Sequence, residues 1–369
     1  MTTALEIPAG PQELTPDWLT RALKQYGAGG GASVMSFDAK IIGEGAGFMG
    51  QLAQVKLTYD KPEPGAPRSL IAKFPAAVEE NRELGNLFRF YEREIRFYEE
   101  IADEVELRTP RRYYSAMDVD AGEYILLLED LAPARVGDQL ASCSPEEADL
   151  AIRELAKFHA AWWESPRLAE MDWMPLANDP VNRSAEEAYQ DAWDPFLDRF
   201  GSRLPGWMLK TGERLGRNII DILDGLADPP RTISHGDYRL DNLVFATPEG
   251  GDPLAVIDWQ IAFRGRGVFD VAYFMSTNLH PHERKAREMQ ILRGYHRILT
   301  ENGVRGYEFR QCLHEYRVST LFCLAYSVIP GGTSDLANER GVALVTAMLD
   351  RTVAAIGDLD AGAVLAEWG

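Results

Sequence analysis

The densest chemistry in the chain lies in residues 231–260, RTISHGDYRLDNLVFATPEGGDPLAVIDWQ. Asp237 precedes Asn242 in one short segment, and Asp258 follows at the end of the next. Two carboxylates and a side-chain amide are hard oxygen donors. Such a set suits Mg²⁺, which is usually held by one or two carboxylates together with substrate phosphates. The same residue types also cap turns, so spacing by itself leaves both readings open. The elements that carry these residues must bring them together.

A hairpin does so. Leu243–Ala246 and Leu254–Ile257 are apolar runs on either side of a turn rich in Pro, Gly and Asp. Closing it symmetrically brings Asn242, entering the first strand, within about one register step of Asp258, leaving the second. Asp237 sits in the loop just before. His235 has no acid of its own nearby and is expected to brace that loop.

Upstream, Phe37–Ile42, Gln51–Tyr59 and Ser69–Phe74 read as short strands, the last carrying Lys73. Residues 60–68 hold three prolines and a glycine and form a loop. From Glu83 to Val105, apolar residues recur at spacings of three and four: Leu84, Leu87, Phe88, Tyr91, Ile95, Tyr98, Ile101 and Val105. That pattern predicts one helix, with Glu94 on its apolar stripe. Tyr124–Leu128 is a buried strand ending in Glu129-Asp130-Leu131. Beyond 131 the periodicity is mostly helical. It predicts a helix over 145–163 after a Ser144 cap, and others over 283–300, 307–328 and 337–356. The expected architecture is α+β. A smaller unit, 1–130, carries an antiparallel sheet and one helix, and a larger helical unit spans 131–369.

Gly45, Gly47 and Gly50 spell GxGxxG. A dinucleotide fingerprint needs a helix directly afterwards, whereas here a period-two strand follows. The loop therefore fits a phosphate-covering flap, with Phe48 as a candidate shield for the phosphates, or a plain flexible turn.

The wording adds a resemblance. His235-Gly236-Asp237 followed by Asn242 resembles the HGDxxxxN loop of the aminoglycoside phosphotransferase and choline kinase-like family, and Ile257-Asp258-Trp259-Gln260 its strand-terminal metal Asp. HGDYRLDNLVF is similar to kinase-like domains associated with acyl-CoA dehydrogenases. The IDWQ ending, Glu-Ile-x-Phe-Tyr and Leu-Glu-Asp-Leu resemble the ecdysteroid kinase-like branch. The resemblance covers about residues 38–280 and implies a bilobal protein-kinase-like fold. It implies ATP as phosphoryl donor, with GTP not excluded, together with Mg²⁺. Asp237 would be the catalytic base, and Asn242 and Asp258 the metal ligands. Kinase chemistry also needs a strand lysine on the phosphates and a helix glutamate that fixes it. Taken alone, Lys73 reads as a lysine guarding an edge strand. With Glu94 and the HGD loop in order, it is assigned to the nucleotide. Gly45, Gly47 and Gly50 would cover the phosphates, and backbone groups from Glu129 to Leu131 would meet the base. Units 1–130 and 131–369 become a nucleotide-binding lobe and a catalytic and substrate-binding lobe. Asp270 is expected as an N-cap or loop brace, His159 as a satisfied core histidine, and Arg264 and Arg266 as solvated loop residues.

Composition bounds the partners. The chain has 369 residues, with 57 acids against 38 bases and a formal charge of -19. Nucleic acid and anionic membranes reward Lys and Arg, so neither is expected. The charge is diffuse, -8 over 1–130 and -11 over 131–369. Cys143, Cys312 and Cys323 form no CxxC pair, as expected of reduced cytoplasmic thiols. No basic and apolar leader is visible, and Val318–Ser334 is too short and too broken by Pro330, Gly331 and Gly332 to span a membrane. A cytoplasmic location is expected, and oligomeric state is left open. Fewer than twenty residues link Asp258 to Asp270, with no APE ending, which argues against a regulated protein kinase. Three functions stay in view: a small-molecule O-phosphotransferase, an aminoglycoside or macrolide kinase, and a nucleotide-binding pseudokinase-like module. Residues 172–231 hold 11 acids and 7 bases, too weak an excess for a polycationic acceptor. A hydroxylated metabolite of lower charge is expected, with Trp162, Trp163, Trp173, Tyr189, Trp193, Phe196, Trp207 and Tyr326 supplying core or pocket wall.

Overall fold

The computed structural model describes residues 5–43, 50–333 and 339–367. The chain divides into two compact units: Met1–Glu104 with Arg108–Pro133, and Val105–Leu107 with Ala134–Gly369.

The first unit is built on a five-stranded antiparallel sheet. Its strands are β1 (Val34–Ile42), β2 (Gly50–Tyr59), β3 (Ser69–Pro75), β4 (Arg112–Asp118) and β5 (Glu123–Glu129), in the order β1-β2-β3-β5-β4. One sheet face packs on α1 (Pro16–Gln25), which buries Trp18, Leu19, Ala22 and Leu23 against Val55, Leu70 and Ile125. Thr15 caps α1 by accepting the Trp18 amide at 3.1 Å. Sequence patterning did not single out this helix, because its apolar stripe is confined to three turns.

The expected single helix over 83–105 is broken. The structure has α2 (Glu79–Leu87) and α3 (Phe90–Glu100), separated at Arg89, whose φ of 54° is left-handed. A Cβ on Gly85 would stand 2.6 Å from the Tyr91 ring. In a straight helix those residues lie about 9 Å apart along the axis and about 120° apart around it. Folding back lets Tyr91 pack on Gly85 and leaves Leu84 and Leu87 exposed. The stripe survives only in α3, as Tyr91, Glu94, Ile95 and Tyr98.

The second unit is mainly helical. Its helices are α4 (Pro145–Trp162), α5 (Pro180–Arg183), α6 (Ala185–Phe200), α7 (Gly206–Leu215), α8 (Ile219–Ala227), α9 (Val268–Asn278), α10 (Pro281–Glu301), α11 (Phe309–Phe322), α12 (Ala325–Thr333) and α13 (Glu339–Asp358). Ser144 and Glu147 close a capping box at the start of α4. The predicted helix over 307–328 splits into α11 and α12. Gly332 then lies against the backbone of Ala192 in α6, where a Cβ would meet the Ala192 oxygen at 2.3 Å. Helix α9 is buried along its whole length and packs on α11 and α13. Small sheets complete the unit: β6 (Arg135–Val136) with β8 (Leu243–Thr247) and β9 (Gly250–Val256), and β7 (Thr232–Ser234) with β10 (Phe263–Gly265). The three cysteines are free, and burial pushes each thiol up to about 12. No helix among the described residues is long and apolar enough to cross a membrane.

Candidate active site

In the second unit the hairpin closes as its sequence predicts. Leu243 pairs with Val256 and Phe245 with Leu254, and the Ile257 amide donates to the Asn242 carbonyl at 3.0 Å. Asn242 and Asp258 thus flank one end of the hairpin, with a single 3₁₀ turn (Leu240–Asn242) joining it to the loop of Asp237. The side chains of Asp237 and Asn242 meet. Asn242 Nδ2 donates to Asp237 Oδ2 and to the Asp237 carbonyl, each at 2.9 Å, which leaves Oδ1 as the acceptor end of the amide.

The loop is fastened from behind. Asp270, fully buried in the first turn of α9, accepts the His235 amide at 2.6 Å and the Gly236 amide at 2.9 Å. Gly236 has φ +84°, and a Cβ there would stand 2.4 Å from the Ile261 carbonyl, so the turn requires glycine. The Asp237 amide donates to His235 Nδ1 at 3.2 Å, which places the ring proton on Nε2, the atom 3.0 Å from the Ile257 carbonyl. His235 is therefore a brace between loop and hairpin. Asp270 is the expected loop brace, and it also meets His159 Nε2 at 3.2 Å, while His159 Nδ1 meets the Tyr295 hydroxyl at 3.0 Å. His159 is accordingly a satisfied core residue.

Asp237 itself is held as a carboxylate. Burial alone would raise its pKa, but the Arg239 guanidinium, with Nε 2.9 Å from Oδ2, holds it below its ordinary value, helped by His235 and a hydrogen bond from Tyr273. Arg239 is reciprocally raised, chiefly by Asp237. Asp258 sits at φ +67°, a left-handed backbone that is costly for a residue with a Cβ. Its carboxylate accepts from Gln260 at 3.3 Å. The carboxylate of Asp258 and the amide oxygen of Asn242 are both hard donors and fit Mg²⁺ chemistry.

In the first unit Lys73 and Glu94 meet. Nζ lies 2.6 Å from Oε1, with the glutamate side chain 2% exposed and the lysine 11%. Lys73 is on β3, the central strand of the sheet, paired to Leu52 on one side and Leu126 on the other. An edge-guarding role is thereby excluded. Gly50 opens β2 opposite Pro75, and a Cβ there would be 3.1 Å from both the Phe74 carbonyl and the Tyr124 hydroxyl. Gly45, Gly47 and Phe48 lie outside the described residues. Glu129 ends β5 with its amide donated to the Arg111 carbonyl at 2.8 Å and its carboxylate on Arg108 at 2.7 Å. Its N–H is thus committed within the unit. Leu131 follows, half-buried, after Asp130, which takes Gln54, Ser69 and the Ala132 amide.

Two expectations fail. Arg266 is not a solvated loop residue: it is buried and pairs with Glu315 at 3.1 Å. Arg264 is half-buried and donates to the Leu168 carbonyl. Contacts with α8 and α11 draw the Arg266 stem inward, and the Leu168 carbonyl draws in that of Arg264. Most of the aromatic supply is core, as with Trp173, Tyr189 and Phe196, whereas Trp207 is exposed. Sequence reading also passed over Arg239, Asp241, Gln139 and Tyr273. The alternation Asp237-x-Arg239-x-Asp241 was a visible signal, since a cation spaced between two acids in a turn can serve both.

Comparison with known proteins gives the family and the fold. Residues 44–305 match the model of the ecdysteroid kinase-like family. The fold is similar to that of aminoglycoside 2'-phosphotransferase-IIIa in its GDP complex (TM-score 0.51, 14% identity, 85% of this chain and 91% of that one). It is also similar to choline kinase from Cryptosporidium parvum Iowa II (TM-score 0.50, 10% identity, 90% and 89%). These likenesses establish a protein-kinase-like fold. A 42-residue stretch is 52% identical to Acyl-CoA dehydrogenase family member 10 of Mus musculus, spanning 11% of this chain and only 4% of that protein.

Proposed function

The chain belongs to the ecdysteroid kinase-like family, and from that premise we propose that it transfers the γ-phosphate of MgATP to a hydroxyl group of a small molecule. The observation that carries the proposal is the gathering of Asp237, Asn242 and Asp258 at one end of the β8–β9 hairpin.

Phosphoryl transfer asks for positioning and charge neutralisation more than for covalent help. Asp237 is ionised at neutral pH and accepts the hydrogen bond of the acceptor hydroxyl, orienting its lone pair toward phosphorus. Its depressed pKa makes it a weak base, suited to taking the proton late, as the O–P bond forms. Asn242 and Asp258 would hold Mg²⁺, which neutralises charge on the phosphates when bound. Two protein ligands are what Mg²⁺ usually takes, and phosphate and water oxygens would supply the rest. Lys73, held by Glu94, would neutralise the nucleotide phosphates; Gly45, Gly47 and Gly50 would cover them, and the crossover from Glu129 to Leu131 would meet the base through backbone groups other than the Glu129 N–H. ATP is the donor we favour; the GDP complex of a fold relative keeps GTP in the test.

The acceptor is proposed to be an alcohol of low charge, because the acids of the large unit are not concentrated. Screening ADP formation across sterols, sugars, amino alcohols, hydroxyacyl-CoAs and aminoglycosides tests this. Turnover of aminoglycosides alone would replace it with an antibiotic kinase, and MgATP binding without turnover of any acceptor would leave a nucleotide-binding module. With the acceptor in hand, Asp237→Ala is expected to lower kcat by about 10³-fold or more with MgATP affinity within about threefold. Turnover within tenfold of the parent would remove Asp237 from the catalytic role.

A further inference from the structure

Arg239 has no part in the reaction as described, yet it is the most heavily engaged cation beside Asp237. Its Nε donates to Asp237 Oδ2 at 2.9 Å, and its NH1 to Asp241 Oδ2 at 3.0 Å and to Gln139 Oε1 at 3.4 Å. A guanidinium held by one acid can swing; one shared between two carboxylates and an amide is fixed in its plane.

The seat is itself anchored. Gln139 is fully buried, and its backbone amide donates to Asp241 Oδ1 at 2.9 Å. Its side-chain amide reaches Thr277 on α9. Its carbonyl accepts from Arg351 at 2.6 Å, and Arg351 also binds the Thr277 carbonyl at 3.1 Å and the Leu140 carbonyl at 3.0 Å. Arg351 lies on α13, outside the residues matched by the family model. A late helix therefore holds the 138–140 segment, that segment holds Arg239, and Arg239 holds Asp237. On Asp237, the oxygen taken by Arg239 is the one taken by Asn242, so the carboxylate plane is set from two directions.

We infer that Arg239 is a positioning residue for the phosphoryl transfer: clamped by Asp241 and Gln139, it holds the Asp237 carboxylate in one rotamer. This rests on the role proposed above for Asp237. Misplacing a reacting group by about 1 Å can cost about 100-fold in rate, so a clamp of this kind acts on turnover more than on binding.

The test is the set Arg239→Gln and Arg239→Lys in the full chain. Arg239→Gln is expected to lower kcat by about 30- to 100-fold, with the KM for acceptor and the Kd for MgATP within about threefold. Arg239→Lys, which keeps a charge able to reach Asp237, should recover about tenfold of that loss, and added guanidinium should partly restore Arg239→Gln. A kcat within threefold of the parent, or a loss that neither lysine nor guanidinium relieves, overturns the inference. Absence of turnover in the parent protein would count against the proposed function instead. In that event a crystal structure of Arg239→Gln decides: Asp237 rotated off Asn242 supports the clamp, and Asp237 unmoved overturns it.

Discussion

The two units hold their candidate groups in opposite ways. In the first unit, Lys73 and Glu94 are 21 residues apart and meet because α3 packs on β4 and β5 of the sheet that carries β3. In the second, the loop of Asp237 is held by Asp270 from 34 and 35 residues away, by Gln139 from 100, and through Arg351 from 212 residues beyond Gln139. A local pair depends on two side chains, and either one can break it. A long-range network shares its load, except where one group carries several backbone contacts. Asp270 is such a group, which makes it the place to strain the comparison first.

Asp270→Asn is expected to have the largest effect. The carboxylate is fully buried and accepts two backbone N–H groups as well as meeting His159. An amide presents one NH₂ where an acceptor is required, leaving a buried N–H without a partner. Loss of about 3–5 kcal/mol in urea unfolding is expected, as when a buried charged contact is broken from one side. A loss under about 1 kcal/mol would mean that the loop is held redundantly even here.

How much of this was legible follows the same division. Strand alternation placed Lys73, and helical periodicity placed Glu94, because both signals are local. Hairpin symmetry placed Asn242 beside Asp258 for the same reason. The break at Arg89 was hidden because Leu84 and Leu87 continue the helical spacing although they face solvent. Gln139, Tyr273 and Arg351 were illegible: each lies far from the motif, and only tertiary packing of α9 and α13 brings them to it. Arg266 was misread because its partner, Glu315, is 49 positions away on α11.

Lys73→Met comes next. Methionine keeps most of the stem's apolar packing but removes the ammonium beside a carboxylate that is 2% exposed, so urea unfolding is measured alongside to check that the sheet survives. Without that charge on the phosphates, kcat/KM for MgATP is expected to fall about 100-fold, or about 2.7 kcal/mol. Titration calorimetry and steady-state kinetics read it. A change under fivefold would remove Lys73 from the nucleotide and leave the ion pair as structural.

Glu94→Gln is the smallest of the three and the sharpest for the comparison. Glutamine keeps the length and an oxygen for Lys73 but not the charge. Glutamine's oxygen still accepts from Lys73, so the ammonium, 11% exposed, keeps a hydrogen bond, and stability should fall by about 1 kcal/mol. Orientation of Lys73 should suffer more than folding, giving about a tenfold loss in kcat/KM for MgATP, or about 1.4 kcal/mol. If the pair acts as one device, Lys73→Met combined with Glu94→Gln loses no more than Lys73→Met alone, because nothing remains for Glu94 to orient. Additive losses would mean that Glu94 acts on the reaction by some route other than Lys73, and the picture of a local, two-residue device would fail.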